Sequence, residues 1–160
     1  MDICRLSGRY GVRRLGREDI GAVYELCRGN PLFYRYHPPF VTKESILADM
    51  SALPPGKGYE DKHYVGFFEG EGLVAVLDLI EGYPTPSTAY IGFFMTEASV
   101  QGSGVGTAIV SELAKALKGF GFERIRLGAD GDNPQSVAFW RKNGFSAVEE
   151  KDFLVMERIL

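Results

Sequence analysis

The segment Val100–Gly121, with the sequence VQGSGVGTAIVSELAKALKGFG, places three glycines within five residues directly before a helical pattern. The glycines are Gly102, Gly104 and Gly106. The apolar positions that follow recur at helical spacing and are Val105, Ile109, Leu113, Ala116 and Leu117. A helix N-terminus has unpaired N–H groups and a partial positive charge, and glycines lack the Cβ atoms that would keep an anion away. The pattern predicts a diphosphate site, although a tight turn into the helix would use the same residues.

Two other nucleotide-binding loops contain glycines at similar spacing. The Walker loop requires a lysine before Ser or Thr, whereas Gly106 precedes Thr107 here, so that loop is excluded. A dinucleotide fold places its glycines directly after a parallel strand, with an acidic residue about 20 positions later. Asp130 matches that acidic position loosely, but residues 96–101 separate the glycines from the preceding strand. A nicotinamide-dinucleotide site stays open as an alternative.

Hydrophobic periodicity predicts strands and helices along the whole chain. Strands are predicted at 10–15, 63–68, 73–80, 89–95, 124–129, 146–150 and 153–159. Helices are predicted within 16–31, at 43–53 after an N-cap at Thr42, after the glycines, and after an N-cap at Asn133. Residues 30–40 are predicted as an aromatic loop. We expect an α/β (α+β) fold in one domain covering residues 1–160, with a central, mostly antiparallel sheet and about four helices.

Composition excludes several classes of protein. The net charge of −3 and the lack of a basic run argue against a nucleic-acid partner. No apolar run approaches the roughly 20 residues of a membrane span, and the first residues do not resemble a signal peptide, so we expect a cytoplasmic protein without a membrane partner. The two cysteines and two histidines are too scattered to indicate a disulfide framework or a metal site.

Two motifs in the C-terminal half resemble the GNAT family, the GCN5-related N-acetyltransferases. QGSGVG, residues 101–106, is similar to the family signature Q/R-x-x-G-x-G/A. NPQSVAFWRKNGF, residues 133–145, is similar to the second signature, a helix opened by Asn and closed before Gly-Phe. The order and spacing of the two motifs also agree with the family, whereas the N-terminal half has no sharp signature.

The resemblance implies a sheet splayed at strand 89–95, an acetyl-CoA donor and an N-acetyltransferase activity. It implies that backbone groups of the splayed strand contact the pantetheine arm and that the glycine loop surrounds the pyrophosphate. The implied coenzyme A contacts are Phe94, Met95, Thr96, Gln101, Gly102, Ser103, Gly104, Val105, Gly106, Thr107, Asn133, Ser136 and Trp140. As a helix N-cap, Asn133 also has a purely structural explanation.

Trp140 departs from the family pattern. The family commonly places a tyrosine at this position as the acid that protonates the departing thiolate, and an indole N–H cannot be lost at useful pH. Another group supplies the proton, or none is needed, because a thiol of pKa about 8.5 leaves tolerably as thiolate. A large residue here is also expected as a packing anchor. A coenzyme A-binding sensor or regulatory module with little transferase activity is therefore the alternative to an enzyme.

Two residues are candidates for the acid–base chemistry. Asp78 lies in an otherwise apolar strand, where burial would raise its pKa, and alternation places it on the face of Val74 and Val76. A satisfied structural acid would show the same pattern. Tyr90 on the next strand is the second candidate.

The segment Asn30–Phe40 is the predicted acceptor wall. It holds four aromatic residues and a histidine, and the acceptor candidates in it are Phe33, Tyr34, Tyr36 and His37. Aromatic faces suit a cationic amine, and they equally suit a packed loop. The leading prediction is direct transfer of an acetyl group to a primary amine of a small molecule or peptide in a ternary complex. Exposed edges at the C-terminal strands also allow a homodimer.

Overall fold

The computed structural model describes residues 1–160, which form seven β-strands and five α-helices. The strands are β1 Gly11–Arg14, β2 Lys62–Glu69, β3 Gly72–Glu81, β4 Thr88–Thr96, β5 Arg124–Ala129, β6 Ser146–Glu150 and β7 Leu154–Ile159. The helices are α1 Ile20–Arg28, α2 Pro31–Tyr36, α3 Lys43–Ser51, α4 Val105–Gly119 and α5 Pro134–Lys142. None of the helices combines the length and hydrophobicity that a membrane span requires.

The strands form one sheet in the order β1-β2-β3-β4-β5-β7-β6, and only β4 and β5 pair in parallel. Their pairing covers four residues of each strand and ends at Ile91 and Leu127. Beyond that point β4 continues to Thr96 and stays paired with β3, while β5 continues to Ala129 and stays paired with β7. The sheet therefore opens between β4 and β5, as the resemblance implied for strand 89–95.

Alternation along β3 divides the apolar core between the two faces of the sheet. Leu77 and Leu79 pack in the cluster that contains α4, whereas Val76 packs with α1 and α3. Val74, which the sequence placed on the face of Val76, belongs to the α4 cluster instead. The reason is a bulge between β2 and β3, where Phe67 pairs with Ala75 but Phe68 pairs with Leu73, so strict alternation fails at Val74.

The prediction of an aromatic loop at residues 30–40 is wrong for its first half. Residues 31–36 form α2, with Pro31 at its first position, and this helix raises the total from about four to five. The Gly29-Asn30-Pro31 sequence ends one helix and starts the next, because proline is tolerated in a first helical turn, where no intrahelical N–H bond is needed. The predicted N-cap of α3 is confirmed, since Thr42 accepts a hydrogen bond from the Ser45 N–H.

Candidate active site

A cavity of about 730 Å³ occupies the opening between β4 and β5. One end, named the donor end after its predicted ligand, is formed by the glycine loop and α5. The other, named the acceptor end after its predicted ligand, is formed by α1, α2 and α3 together with β2 and β3. The exposed backbone of β4 beyond Ile91 runs along the wall between these two ends. A single space thus joins the predicted donor site to the predicted acceptor wall.

The glycine loop presents free backbone donors at the start of α4. Gly102 and Gly104 adopt φ of +78° and +87°, a region that favours glycine, and Gly104 is the N-cap. The first helical N–H with a backbone partner is that of Ala108, which donates to the Gly104 carbonyl at 2.9 Å. The N–H groups of Val105 to Thr107 precede it and remain available to an anion. A Cβ at Gly102 or Gly104 would meet no atom within 4 Å, so the space in front of these residues is open.

The side chain of Gln101 holds the loop in place. Its Nε2 donates to the Thr96 carbonyl at 3.1 Å and to Oδ1 of Asn30. Asn30 is 8% exposed, and its Nδ2 donates to the carbonyls of Leu26 and Thr96 at 3.0 and 3.2 Å. These bonds connect the end of α1, the end of β4 and the glycine loop. The sequence placed Asn30 at the end of a predicted helix and at the start of the acceptor wall, and its contact with the glycine loop was missed.

The second motif also contributes to the donor end of the cavity. Asn133 is 3% exposed and its side chain accepts a hydrogen bond from the Ser136 N–H at 3.2 Å, which confirms the predicted cap. Asn133 and Ser136 both line the cavity. At the other end of α5, Asn143 Nδ2 lies 3.4 Å from Oγ1 of Thr107 and joins this helix to the start of α4.

Trp140 is a packing anchor that also lines the cavity. It is 7% exposed, and its ring centroid lies 4.9 to 5.8 Å from the ring centroids of Phe94, Phe139 and Phe145. The indole N–H has no hydrogen-bond partner in the protein, yet it is not sealed from solvent. It is therefore available as a hydrogen-bond donor but not as an acid.

Asp78 lies on the cavity wall and is paired with a lysine. Lys62 Nζ is 2.8 Å from both carboxylate oxygens, and its side chain is only 4% exposed. Burial raises the pKa of Asp78, while the Lys62 ammonium opposes that rise. Lys62 was not identified from the sequence, because the contact is diagonal: Asp78 pairs with Tyr64, two residues after Lys62.

The carboxylate of Asp78 lies against a bulge in β4. Phe93 pairs with Asp78 and Ile91 pairs with Leu79, which leaves Gly92 as the extra residue. A Cβ at Gly92 would lie 2.8 Å from Oδ2 of Asp78. Glycine therefore allows the β4 backbone to approach this carboxylate where the strand leaves β5.

Three residues from α1, α3 and β2 complete the acceptor end. Cys27, Asp49 and Tyr64 line the cavity there, and the sequence gave no pattern that marks them as site residues. Burial raises the pKa of the Cys27 thiol to about 11, so it is a neutral group at this wall. Asp49 is open to the cavity, and the protein atoms around it raise its pKa, while Lys62 and His37 oppose the rise.

The aromatic segment contributes three of its four candidate residues to the cavity. Phe33, Tyr34 and His37 line it, whereas Tyr36 does not. His37 Nδ1 is 3.2 Å from Oδ1 of Asp130, at the end of β5, so this contact bridges the two sides of the opening.

Three other predicted site residues do not line the cavity, although the backbone N–H of Val105 is one of the free donors at the start of α4. Ser103, Val105 and Tyr90 are not among the residues that line it. The Tyr90 ring packs edge-on against Tyr83 with centroids 5.3 Å apart, and burial raises its pKa. The remaining predicted coenzyme A contacts line the cavity and are Phe94, Met95, Thr96, Gln101, Gly102, Gly104, Gly106, Thr107, Asn133, Ser136 and Trp140.

Residues 23–145 match the model of the acetyltransferase (GNAT) family. The matched residues make up more than half of the chain and include both motifs. No curated protein sequence matches the chain significantly.

Solved structures with the same fold include three N-acetyltransferases or acetyltransferases. PaiA N-acetyltransferase from Thermoplasma acidophilum, in complex with coenzyme A, superposes with a TM-score of 0.70 at 20% identity, covering 94% of this chain and 99% of that one. An acetyltransferase from Thermus thermophilus has a TM-score of 0.80 at 21% identity, covering 94% and 97%. The ribosomal-protein-S18-alanine N-acetyltransferase from Escherichia coli has a TM-score of 0.66 at 15% identity, covering 94% and 93%. At these identities the likeness establishes the fold.

Proposed function

The chain belongs to the acetyltransferase (GNAT) family, and we propose that it transfers an acetyl group from acetyl-CoA to a primary amine of a small molecule or peptide. The proposed reaction is direct attack by the amine while donor and acceptor occupy the cavity together. The observation that carries this proposal is the continuous space from the glycine loop to the acceptor end, with the β4 backbone along its wall. A site joined in this way allows transfer without an acyl-enzyme.

Acetyl-CoA is the donor of this family, and the residues of the glycine loop fit its pyrophosphate. Free N–H groups at the start of α4 and open space in front of Gly102 and Gly104 are the features that an anion requires. Lys142 lines the same end of the cavity and adds a positive charge toward the phosphates. When bound, the donor supplies an activated thioester, whose C–S bond breaks as the C–N bond forms.

The amine must be neutral to attack, so a group in the protein accepts a proton directly or through water. We assign this role to Asp78, because its carboxylate lines the cavity beside the β4 bulge and burial raises its pKa. Lys62 fixes the orientation of that carboxylate through both oxygens. The position of Tyr90 outside the cavity lining gives no support for a direct role.

Trp140 cannot act as an acid toward the departing sulfur. Its indole N–H is a hydrogen-bond donor that cannot transfer a proton. The sulfur therefore leaves as thiolate, at a rate that lacks the roughly hundredfold help of a positioned acid. This feature is also what favours the second candidate function, a coenzyme A-binding sensor or regulatory module.

Release of free thiol from acetyl-CoA in the presence of a panel of primary amines distinguishes the two functions. A transferase should release thiol faster with at least one amine, and Asp78→Asn should slow that reaction about hundredfold without weakening acetyl-CoA binding. Equal thiol release with and without every amine, together with tight acetyl-CoA binding, would instead support the binding module.

A further inference from the structure

We infer that the acceptor carries a second positive charge, which Asp49 binds while the other amine reacts. This inference rests on the proposed transferase function and specifies its acceptor as a linear aliphatic diamine. It follows from the distribution of charge and aromatic surface around the acceptor end of the cavity.

Asp49 lies on the face of α3 that borders the cavity. Ser45 and Ala52, one turn before it and about one turn after it, line the same space. The Asp49 carboxylate forms no salt bridge and accepts no side-chain or backbone hydrogen bond. Its position and its free oxygen atoms leave it available to a ligand.

The other two carboxylates of the cavity already have partners. Asp78 is paired with Lys62, and Asp130 with His37. Apart from His37, the cavity lining contains one basic residue, Lys142, which belongs to α5 at the donor end. Lys62 and His37 oppose the rise in the pKa of Asp49 but do not contact its carboxylate, so an anionic acceptor would meet a negative charge without a direct partner, whereas a cationic one would neutralise it.

Aromatic residues line the same cavity as Asp49, and two of them, Tyr34 and Tyr64, lie within the reach of its charge. Burial chiefly raises the pKa values of Tyr34, Tyr64 and Asp78, and the Asp49 charge adds to the rise in each case. These groups therefore share one electrostatic environment. The faces of Tyr34 and Tyr64 suit both an alkyl chain and a cation.

The size of the cavity favours a small, flexible ligand. About 730 Å³ must accommodate the arm of the donor as well as the acceptor. A linear diamine fits this space, because one amine can lie beside Asp78 and the β4 backbone while its alkyl chain follows the aromatic wall to Asp49.

Three acceptors of equal chain length test the inference: α,ω-diaminopentane, pentylamine and ω-aminopentanoate. Their far ends are positive, neutral and negative, so their kcat/KM values isolate the charge preference. We expect kcat/KM for the diamine to exceed that for pentylamine by about tenfold, and kcat/KM for ω-aminopentanoate to be the lowest of the three. Asp49→Asn should lower the diamine value about tenfold and leave pentylamine within about twofold. Glu44→Gln, an equal charge change on α3 away from the cavity, should change none of them.

Binding of the diamine to the coenzyme A complex, measured by thermal shift, provides a second readout. The wild type should be stabilised by the diamine, and Asp49→Asn should lose that effect. Equal kcat/KM for the three acceptors would overturn the inference while leaving the proposed function intact. An equal loss for all three in Asp49→Asn would also overturn it, because that result makes Asp49 a proton acceptor. Diamine binding that depends on Asp49 but is followed by no turnover would reject the transferase function and the acceptor role together, and would leave only the cation contact at Asp49.

Discussion

Replacement of Asn30 by Ala tests whether the glycine loop is held in place by the end of α1. Asn30 takes part in three side-chain hydrogen bonds: two from its Nδ2 to the carbonyls of Leu26 and Thr96, and one that its Oδ1 accepts from Gln101. Asn30 is 8% exposed, so water replaces these bonds poorly. At about 1 kcal/mol for each bond, Asn30→Ala should lower the free energy of unfolding by about 3 kcal/mol.

Chemical denaturation measures that loss, and a thermal scan should show a fall in Tm of roughly 6–12 °C. Gln101→Ala is the matched control, because its side chain is exposed and its lost bonds are largely replaced by water, at about 1 kcal/mol or less. Both variants should bind acetyl-CoA more weakly, because Gln101→Ala removes the bonds from the loop to Thr96 and Asn30, and Asn30→Ala removes the bond from the loop to the end of α1. A double-mutant cycle should give a coupling of about 1 kcal/mol between Asn30 and Gln101. An Asn30→Ala protein with wild-type stability and acetyl-CoA affinity would refute this reasoning.

Trp140→Phe should lower the stability by about 1–3 kcal/mol through lost packing yet leave kcat within about threefold, since the indole is not an acid; denaturation and steady-state kinetics check both parts. Lys62→Met should cost roughly 3–5 kcal/mol, because it leaves Asp78 buried without its partner. In Lys62→Met the folded-state pKa of Asp78 would rise further above its unfolded value. The free energy of unfolding lost relative to the wild type should therefore grow as pH increases through the folded pKa of Asp78. Unfolding free energies measured between about pH 5 and 8 check this. The hydrogen bond from Arg13 lowers the pKa of Asp19 below its usual 3.8, so its stabilising effect is lost as pH falls, and Asp19→Asn should flatten the acid side of the stability profile.

Local sequence patterns were sufficient to predict most of the elements, including the helix after the glycine loop and the cap of α5. The glycine positions before an amphipathic helix and the Asn133 cap depend on neighbours within a few residues, and the structure confirms the helix and the cap. The secondary structure of residues 30–40 was harder to predict, because Pro31 is compatible both with the end of one helix and with the first turn of the next.

The acceptor end depended on contacts between distant segments. The Lys62–Asp78 pair follows from the register of β2 and β3, and the bulge at Gly92 follows from the register of β3 and β4. Neither register can be read from composition or periodicity. Asp49 is a single carboxylate on a short helix, and only the packing of α3 beside the opening of the sheet makes it a site residue.

The proposed function depends on binding of the acetyl-CoA pyrophosphate at the N-terminus of α4. Titration calorimetry of acetyl-CoA with the wild type, Gly104→Asn and Gly104→Asp measures this interaction. Asn and Asp tolerate the left-handed backbone of residue 104 better than other side chains do, and they differ by one negative charge. We predict that Gly104→Asp binds acetyl-CoA at least about tenfold more weakly than Gly104→Asn, because its carboxylate faces the same N–H groups as the pyrophosphate. Equal affinity of the two variants and the wild type would show that the pyrophosphate lies elsewhere.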